Sequence, residues 1–258
     1  MRPCLIFAHS VRYSYLLITE SVRNPPTAGN PVAMASLEIV PVTEDKLDDF
    51  IRLYWTAFET PDADMVMPMM YTAGLTPELL KRMRDRILRE TEGKLGEYCY
   101  YVRDVQTDEM LAISWWADVP NPPSTKEGID AAYDKAKQGR GLDAPMKGVN
   151  QPLSDAFLKT AVYCEFETMK GEPYISLRML ATHPRHHRRG AGTLLLRQGL
   201  AKADRSGLPV YLDAGRNGKP LYERNGFQVT SDFPFDGRDY GGWQEGKHWC
   251  MVRPVRSK

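Results

Sequence analysis

The chain has 258 residues, of which 42% are hydrophobic, and 34 lysines and arginines against 33 aspartates and glutamates give a net charge of +1. This length and composition are typical of one large soluble domain and exclude a fibrous or largely disordered chain. The balanced charge provides no overall field that favours nucleic acid or an anionic membrane surface. Any recognition of an anion must therefore be local.

The cysteines lie far apart, at positions 4, 99, 164 and 250, without a C-x-x-C pair. This spacing argues against a zinc ribbon and against a disulfide framework, and favours a reducing compartment, which we take to be the cytoplasm. No apolar run approaches the roughly 18–20 residues that a membrane-spanning helix needs. We therefore expect a soluble protein with no membrane partner.

The first part of the chain lacks hydrophobic periodicity. Residues 1–33 contain three arginines and a single glutamate, a composition weakly similar to a transit peptide, and several prolines that break regular structure. Met34 could itself start the protein. We interpret residues 1–33 as a disordered or non-native extension and residues 34–258 as a single domain.

Two helices follow the first strand, which is predicted at Leu37–Val42. Thr43 is the predicted N-cap of the first helix, whose apolar residues recur at helical spacing: Leu47, Phe50, Ile51, Tyr54, Trp55 and Phe58. The second helix is predicted to begin at Thr76-Pro77. Between them, residues 64–70 carry four methionines, which predicts either an adaptable ligand-binding loop or gap-filling core.

The remaining elements alternate between strands and helices. Strands are predicted at Tyr98–Arg103, Met110–Ala117, Tyr174–Thr182, Val210–Asp213, Phe227–Ser231 and His248–Arg253, and helices at about Gly190–Arg205 and Pro220–Asn225. Residues 118–170 interrupt this order with prolines and glycines, and are predicted to be an insertion containing a helix at Ser154–Tyr163. The alternation predicts an α/β fold with a mixed sheet covered by helices.

The segment Leu180-Ala-Thr-His-Pro-Arg-His-His-Arg-Arg-Gly-Ala-Gly192 combines a strand end, a basic turn and the start of a helix. Unpaired N–H groups and the positive end of the helix dipole bind phosphate, and Gly190 and Gly192 allow the backbone to approach closely. The segment lacks G-K-[ST], which disfavours a P-loop hydrolase, and its spacing differs from G-x-G-x-x-G.

This segment resembles the first signature of the GNAT acetyltransferase superfamily, Leu-x-Val-x-Pro followed by Gln/Arg-x-x-Gly-x-Gly/Ala. Leu180, Pro184, Gly190 and Gly192 match, while Thr182 replaces the usual valine and His187 the usual glutamine or arginine. The resemblance implies that main-chain N–H groups of the loop bind the pyrophosphate of acetyl-CoA. It assigns cofactor binding to the following residues: Leu180, Thr182, His187, Arg188, Arg189, Gly190, Ala191 and Gly192.

A second signature follows, Pro220-Leu-Tyr-Glu-Arg-Asn-Gly-Phe227, which is similar to the Leu-Tyr-Glu-Lys-x-Gly-Phe of the same superfamily. Residues 208–213, 220–230 and 248–253 look like small-molecule acetyltransferases of the puromycin N-acetyltransferase type. The turn at 214–218 departs from that group because Gly215 replaces a serine or asparagine. Asn217 is the candidate there for a side-chain contact to CoA.

Direct acyl transfer needs a neutral amine, donors for the developing oxyanion and an acid for the leaving thiolate. The second signature makes Tyr222 the predicted acid, since a phenol with a pKa of about 10 is well matched to an alkyl thiolate. A main-chain N–H near Met179-Leu180 is the expected oxyanion donor. The general base stays open between Glu172, Asp213, His183 and a chain of water molecules.

The resemblance implies an N-acetyltransferase, and we expect a small amine as acceptor, bound between residues 64–70, Trp115-Trp116 and the insertion. Asp62, Asp64 and Glu59 could attract the protonated amine. The alternatives are a protein or peptide acetyltransferase and a non-catalytic CoA-binding module. Neither nucleic acid nor a metal is expected, because the histidines of the basic turn have no cysteine or carboxylate at ligand spacing. The oligomeric state stays open.

Overall fold

The computed structural model describes residues 37–59, 66–142, 145–240 and 247–256. The predicted extension at 1–33 lies outside the described residues, as do Asp62 and Asp64. No helix within the described ranges is long and apolar enough to cross a membrane.

The described residues form a seven-stranded mixed sheet in the order β1-β2-β3-β4-β5-β7-β6. The strands are β1 (Leu37–Pro41), β2 (Cys99–Asp104), β3 (Met110–Val119), β4 (Tyr174–Thr182), β5 (Val210–Gly215), β6 (Gln228–Asp232) and β7 (His248–Arg253). Neighbouring strands are antiparallel except for β4 and β5, which run parallel. The predicted α/β class with a central mixed sheet is confirmed.

Helices cover both faces of the sheet. They are α1 (Leu47–Phe58), α2 (Val66–Met70), α3 (Pro77–Glu90), α4 (Leu95–Tyr98), α5 (Lys126–Gly139), α6 (Gln151–Met169), α7 (Ala191–Ser206) and α8 (Lys219–Arg224). The predicted periodicity of α1 is confirmed, since Leu47, Phe50 and Ile51 are fully buried. Thr76 caps α3 as predicted, accepting a hydrogen bond of 3.2 Å from the N–H of Leu79.

Side chains alternate between the two faces along each strand. Trp115 packs with α1 and α3, whereas Trp116 packs with α7. On β5, Val210 and Leu212 point to the α7 side and Tyr211 points to the α6 side. The sheet therefore has an α7 face, covered by α7 and α8, and an opposite face, covered by α1, α3 and α6, which we call the α1 face.

The methionine segment contains the short helix α2, and Met70 is buried, which agrees with the gap-filling alternative for that residue. Two other local predictions were wrong. Thr43 precedes a 3₁₀ turn at Glu44–Lys46 rather than capping α1 directly. Between β3 and β4 there are two helices, because α5 was missed and α6 extends well beyond the predicted Ser154–Tyr163. The apolar face of α5 combines Ile129 and Tyr133 with Ala132 and Ala136, and the alanines give a weak periodic signal.

Candidate functional site

Strands β4 and β5 separate soon after they begin. Backbone pairs join them at Ile175↔Val210 and Ser176↔Tyr211, and no further pair follows although β4 continues to Thr182. Beyond Ser176 the edge of β4 that faces β5 therefore has backbone N–H and C=O groups without a partner strand. A parallel pair that opens in this way leaves a slot lined by main-chain donors and acceptors.

A β-bulge lies at the mouth of this slot. The register of β4 with β3 shifts between Trp115↔Met179 and Trp116↔Leu177, so Arg178 is the extra residue. As a consequence, Arg178 and Met179 both project from the α1 face, where Arg178 pairs with Glu165 and Met179 packs with the α1 and α3 cluster. The bulge places a cation beside the slot.

Glu165 of α6 fixes the position of Arg178. Its carboxylate accepts a hydrogen bond of 2.7 Å from the Tyr174 hydroxyl and one of 2.6 Å from the Arg178 guanidinium. Glu165 is buried, and its charge raises the pKa of Arg178 against the opposing effect of burial. Sequence reasoning missed this pair, because nothing in the spacing of Glu165 and Arg178 indicates that α6 lies over β4.

The turn between β4 and α7 has the backbone geometry of an anion site. Arg188 and Gly190 have positive φ angles of 62° and 86°, and Gly190 is the N-cap of α7. Within the described structure, the backbone N–H groups of residues 188–193 have no hydrogen-bond acceptor. Successive N–H groups of this kind form a concave donor surface at the positive end of the helix dipole. We call residues 185–193 the anion loop.

The basic side chains of the anion loop have different surroundings. Arg189 donates a 2.6 Å hydrogen bond to Asp104 of β2, so its charge is already paired. Arg185 and Arg188 are exposed, and within the described residues their side chains have no ion pair or hydrogen bond. Two of the three predicted cations are thus available for a phosphate, while Arg189 anchors the loop.

His187 and Gly192 join the loop to the end of β4. The Nε2 atom of His187 lies 3.1 Å from the carbonyl oxygen of Thr182, which ties the turn to the strand. A Cβ atom at Gly192 would lie 3.0 Å from the Thr182 hydroxyl, so glycine permits this close approach. Leu180, on the same face, packs against α7. His187 and Thr182 thus hold the turn and the start of α7 against the end of β4.

Tyr222 lies on α8, on the α7 face. It is 8% exposed, its ring packs against Phe227 at 5.7 Å between centroids, and Gly218 makes room for it, since a Cβ there would lie 2.8 Å from the ring. The phenol has no hydrogen bond within the described structure, and burial raises its pKa above the ordinary 10. It therefore holds its proton at neutral pH, as a proton donor must.

The structure separates the candidates for the general base. Asp213 lies on β5 two residues beyond the last pair with β4, and accepts a hydrogen bond of 2.5 Å from the Tyr211 hydroxyl. The surrounding protein desolvates this carboxyl and raises its pKa well above 3.8, although the residue is also accessible to solvent. Glu172 lies before β4, at the opposite end from the loop, and His183 lies in the loop itself.

Comparison with known proteins identifies this arrangement. Residues 158–229, which run from α6 through the anion loop and Tyr222 to β6, match the family model of the acetyltransferase (GNAT) domain. The chain has the GNAT fold. An arylalkylamine N-acetyltransferase-like protein 5b of mosquito has a TM-score of 0.59 at 13% identity, over 84% of this chain and 99% of that one.

Two other GNAT structures share the architecture. Histone acetyltransferase HPA2 and related acetyltransferase of Corynebacterium glutamicum has a TM-score of 0.52 at 16% identity, covering 86% of this chain and 98% of its own. Naa20 of Chaetomium thermophilum, in complex with a bisubstrate analogue, has a TM-score of 0.50 at 14% identity, covering 84% and 86%. At such identities the likeness establishes the GNAT fold, and the acceptor must be argued from the residues of this chain.

The positions of Trp115 and Trp116 show that they do not form the wall of the acceptor site that the sequence predicted. Trp116 is 2% exposed and packs on the α7 face, where a Cβ at Gly199 would lie 2.1 Å from its ring. Trp115 lies on the α1 face but is covered by the guanidinium of Arg86, 5.1 Å above the ring. The neighbouring tryptophans therefore point in opposite directions, and the α1 face carries arginines where an open aromatic surface was predicted.

Proposed function

We propose that the protein is an acetyl-CoA-dependent N-acetyltransferase that transfers the acetyl group directly to a small amine. The main support for this proposal is the combination of unpaired N–H groups at residues 188–193 with the slot between β4 and β5 that begins after Ser176. The first provides donors for a pyrophosphate, and the second provides donors and acceptors for an extended amide-containing arm.

Acetyl-CoA binding is assigned to the anion loop and the strand before it. The N–H groups at Arg188, Gly190, Ala191 and Gly192 are the proposed pyrophosphate donors. The unpaired Arg188 and Arg185 side chains suit the phosphorylated adenosine end. The edge of β4 at Leu180 and Thr182 flanks the arm, and Asn217 in the turn after β5 flanks the slot from the other strand.

The proposed reaction has two proton transfers, one from the attacking amine and one to the leaving thiolate. The amine nitrogen attacks the carbonyl carbon, and Asp213 accepts the proton that the nitrogen loses. A main-chain N–H of β4 near Met179 or Leu180 stabilises the oxyanion. As the C–S bond breaks, the Tyr222 hydroxyl donates its proton to the thiolate, giving free CoA and the amide. The raised pKa of Asp213 brings it nearer the working pH, which suits a general base.

The walls of the α1 face favour a small acceptor over a peptide. The N–H of Asn150 donates to the carbonyl of Met70 at 2.7 Å, and the N–H of Ala73 donates to the carbonyl of Gly148 at 3.3 Å. These bonds hold the end of α2 and the residues after it against the residues before α6, and we propose that this contact closes one side of the acceptor site. A peptide needs an open groove, whereas a small molecule needs an enclosed one. The resemblance of residues 208–213, 220–230 and 248–253 to puromycin N-acetyltransferase-type sequences is a further argument for a small acceptor.

A free-thiol release assay tests the proposal. Purified protein is given acetyl-CoA with a panel of small amines, aminonucleosides and basic peptides. We expect thiol release that depends on a small amine and formation of its acetylated product by mass spectrometry. A much higher kcat/KM for peptides would establish the protein-acetyltransferase alternative. Acetyl-CoA binding without turnover of any acceptor would establish the non-catalytic module.

A further inference from the structure

The turn between β2 and β3 lies against the anion loop. Strands β2 and β4 both run antiparallel to β3, so they end at the same edge of the sheet. Two carboxylates stand at the base of the turn, Asp104 and Glu109, and the N–H of Asp104 donates to the carbonyl of Glu109 at 3.0 Å. The Asp104 carboxylate also accepts a hydrogen bond of 3.0 Å from the N–H of Gln106. Backbone and side-chain bonds thus fix both carboxylates beside the loop.

These carboxylates contact two basic side chains of the anion loop. The Asp104 carboxylate accepts the 2.6 Å hydrogen bond from Arg189, and a Glu109 oxygen lies 2.9 Å from Nε2 of His186, a close contact not aligned as a hydrogen bond. Arg189 and His186 also meet, with Nη1 3.0 Å from Nδ1. A guanidinium has no acceptor, so Nδ1 accepts and the imidazole proton is on Nε2, facing Glu109. The four side chains therefore form one connected network.

The anion loop depends on side-chain contacts for its shape. Within the described structure the N–H groups of residues 188–193 have no acceptor, so the loop is not held by backbone hydrogen bonds of its own. Arg188 has a φ of 62°, a left-handed conformation that is unfavourable for a residue with a side chain. The residues on either side of it are the anchored ones, since His187 contacts the end of β4 and Arg189 contacts Asp104. These two anchors hold Arg188 in its strained conformation.

We propose that Asp104 is a positioning residue for acetyl-CoA, which acts through Arg189 to hold the N–H groups of the anion loop in the orientation that receives the pyrophosphate. A loop that is ordered before the ligand arrives loses less conformational entropy on binding, so the affinity is higher. Asp104 itself does not contact the phosphates, which its charge would repel. The residue also lies outside the segment 158–229 that matches the family model. This inference rests on the proposed acetyl-CoA site and adds a residue from a distant part of the chain.

Asp104→Asn tests the inference. The single amide oxygen can accept from the N–H of Gln106 or from Arg189, whereas the carboxylate accepts from both. We expect the dissociation constant of CoA, measured by calorimetry, and KM for acetyl-CoA each to rise about tenfold. At saturating acetyl-CoA, kcat should change by less than about twofold, because the proposed acid and base are untouched. A general loss of structure would lower kcat as well.

Asp108→Asn is the matched control. It removes the same charge from the same turn, where Asp108 pairs with Arg103 at 2.7 Å, and asparagine adopts the positive φ of 56° readily. Its CoA affinity should equal that of wild type. Unchanged affinity in Asp104→Asn overturns the inference. Tighter binding overturns it too, since it would show that Asp104 only withholds the Arg189 charge from the phosphates.

A double variant tests whether Asp104 acts through Arg189. Arg189→Gln should also weaken CoA binding about tenfold, and Asp104→Asn combined with Arg189→Gln should weaken it no further, because the two side chains form one contact. Losses that multiply to about a hundredfold would show separate contributions and overturn the inference.

Amide NMR of the ligand-free protein separates this inference from the proposed function. The N–H groups of Gly190 and Gly192 should become less ordered in Asp104→Asn and stay unchanged in Asp108→Asn, measured by heteronuclear relaxation. This result supports the positioning role even if wild-type protein binds no CoA, in which case only the proposed function fails. Equal order of both glycine amides in Asp104→Asn and wild type overturns the positioning role whether or not CoA binds.

Discussion

Ser176 of β4 and Tyr211 of β5 form the last backbone pair before the two strands separate, and each strand carries an ionisable side chain two residues further on. These are Arg178 and Asp213. The positive charge of Arg178 lowers the pKa of Asp213, but the larger effect of burial raises it. This last residue pair of the β-ladder thus sets both where the slot opens and where Asp213, the proposed general base, lies beside it.

Replacement of Asp213 tests its role as a base. Asp213→Asn keeps the acceptor for the Tyr211 hydroxyl but cannot take a proton, so we expect kcat to fall about 10²-fold. With an acceptor amine that is neutral throughout the range, wild-type kcat/KM should rise with pH through the raised pKa of Asp213, and this rise should be absent in the variant. The measurement is a pH profile of single-turnover rates; an identical profile in Asp213→Asn excludes Asp213.

The same residue has a predicted effect on stability. Because the pKa of Asp213 is raised in the folded state, its contribution is full below the pKa of the unfolded chain and is lost as pH rises through the folded value. As pH rises, wild type therefore loses stability relative to a variant that cannot ionise at this position. Asp213→Asn should be as stable as wild type at pH 3–4 and more stable at pH 8, measured by urea unfolding. Lower stability at pH 8 would contradict the assigned environment.

Gly190 tests the anion loop. Gly190→Asp places a carboxylate where the pyrophosphate is proposed to bind, and should weaken acetyl-CoA binding beyond detection by calorimetry. A Cβ at Gly190 meets no atom within 4 Å, so the fold should tolerate the side chain. Gly190→Asn is the matched control, since asparagine and aspartate adopt the positive φ of 86° found at Gly190 about equally well. Wild-type affinity in Gly190→Asp would show that the loop is assigned wrongly.

Tyr222 tests the acid. Tyr222→Phe keeps the packing against Phe227 and removes the proton, so kcat should fall about 10²–10³-fold with an unchanged dissociation constant for acetyl-CoA. Because burial raises the pKa of this phenol above 10, wild-type activity should show no loss below that pH through its ionisation. Tyr133→Phe, a tyrosine of α5 bonded to Asp155, is the control. An unchanged single-turnover rate removes Tyr222 from the mechanism.

Arg253 and Asp204 provide a test of stability away from the site. Arg253 is 2% exposed and donates to both oxygens of Asp204, at 2.7 and 3.0 Å, which ties β7 to α7. Asp204→Asn leaves a buried guanidinium without a counter-charge and should lower the free energy of unfolding by about 2–4 kcal/mol. Asp85→Asn, in an exposed i,i+4 pair with Lys81, should cost under about 0.5 kcal/mol.

The Asp204 pair also has a pH dependence of opposite sign. The hydrogen bond from Arg253 holds the pKa of Asp204 below 3.8. Its contribution is therefore present above the pKa of the unfolded chain and is lost as pH falls through the lower folded value. The difference in unfolding free energy between wild type and Asp204→Asn should shrink below about pH 4. A difference that is constant from pH 3 to 7 would contradict this account.

The sequence by itself determined the elements whose signals are local. Strand β4 has the predicted bounds, and α7 begins after Gly190 and ends before Gly207, which adopts a φ of 63° as the C-cap. Caps, glycine conformations and helical periodicity depend on residues within about four positions of one another, so they can be recognised from the sequence alone. The position of the anion loop followed from the same local pattern.

Only the tertiary structure decided which charges are paired. Arg189 and Arg188 are neighbours in the basic turn, yet Arg189 pairs with Asp104, 85 residues away, while Arg188 has no partner within the described residues. The bulge at Arg178 and the burial of Glu165 between α6 and the sheet likewise depend on how distant helices pack on the sheet. Sequence spacing does not encode such contacts, because they form between elements whose relative positions are set by the packing of the whole core.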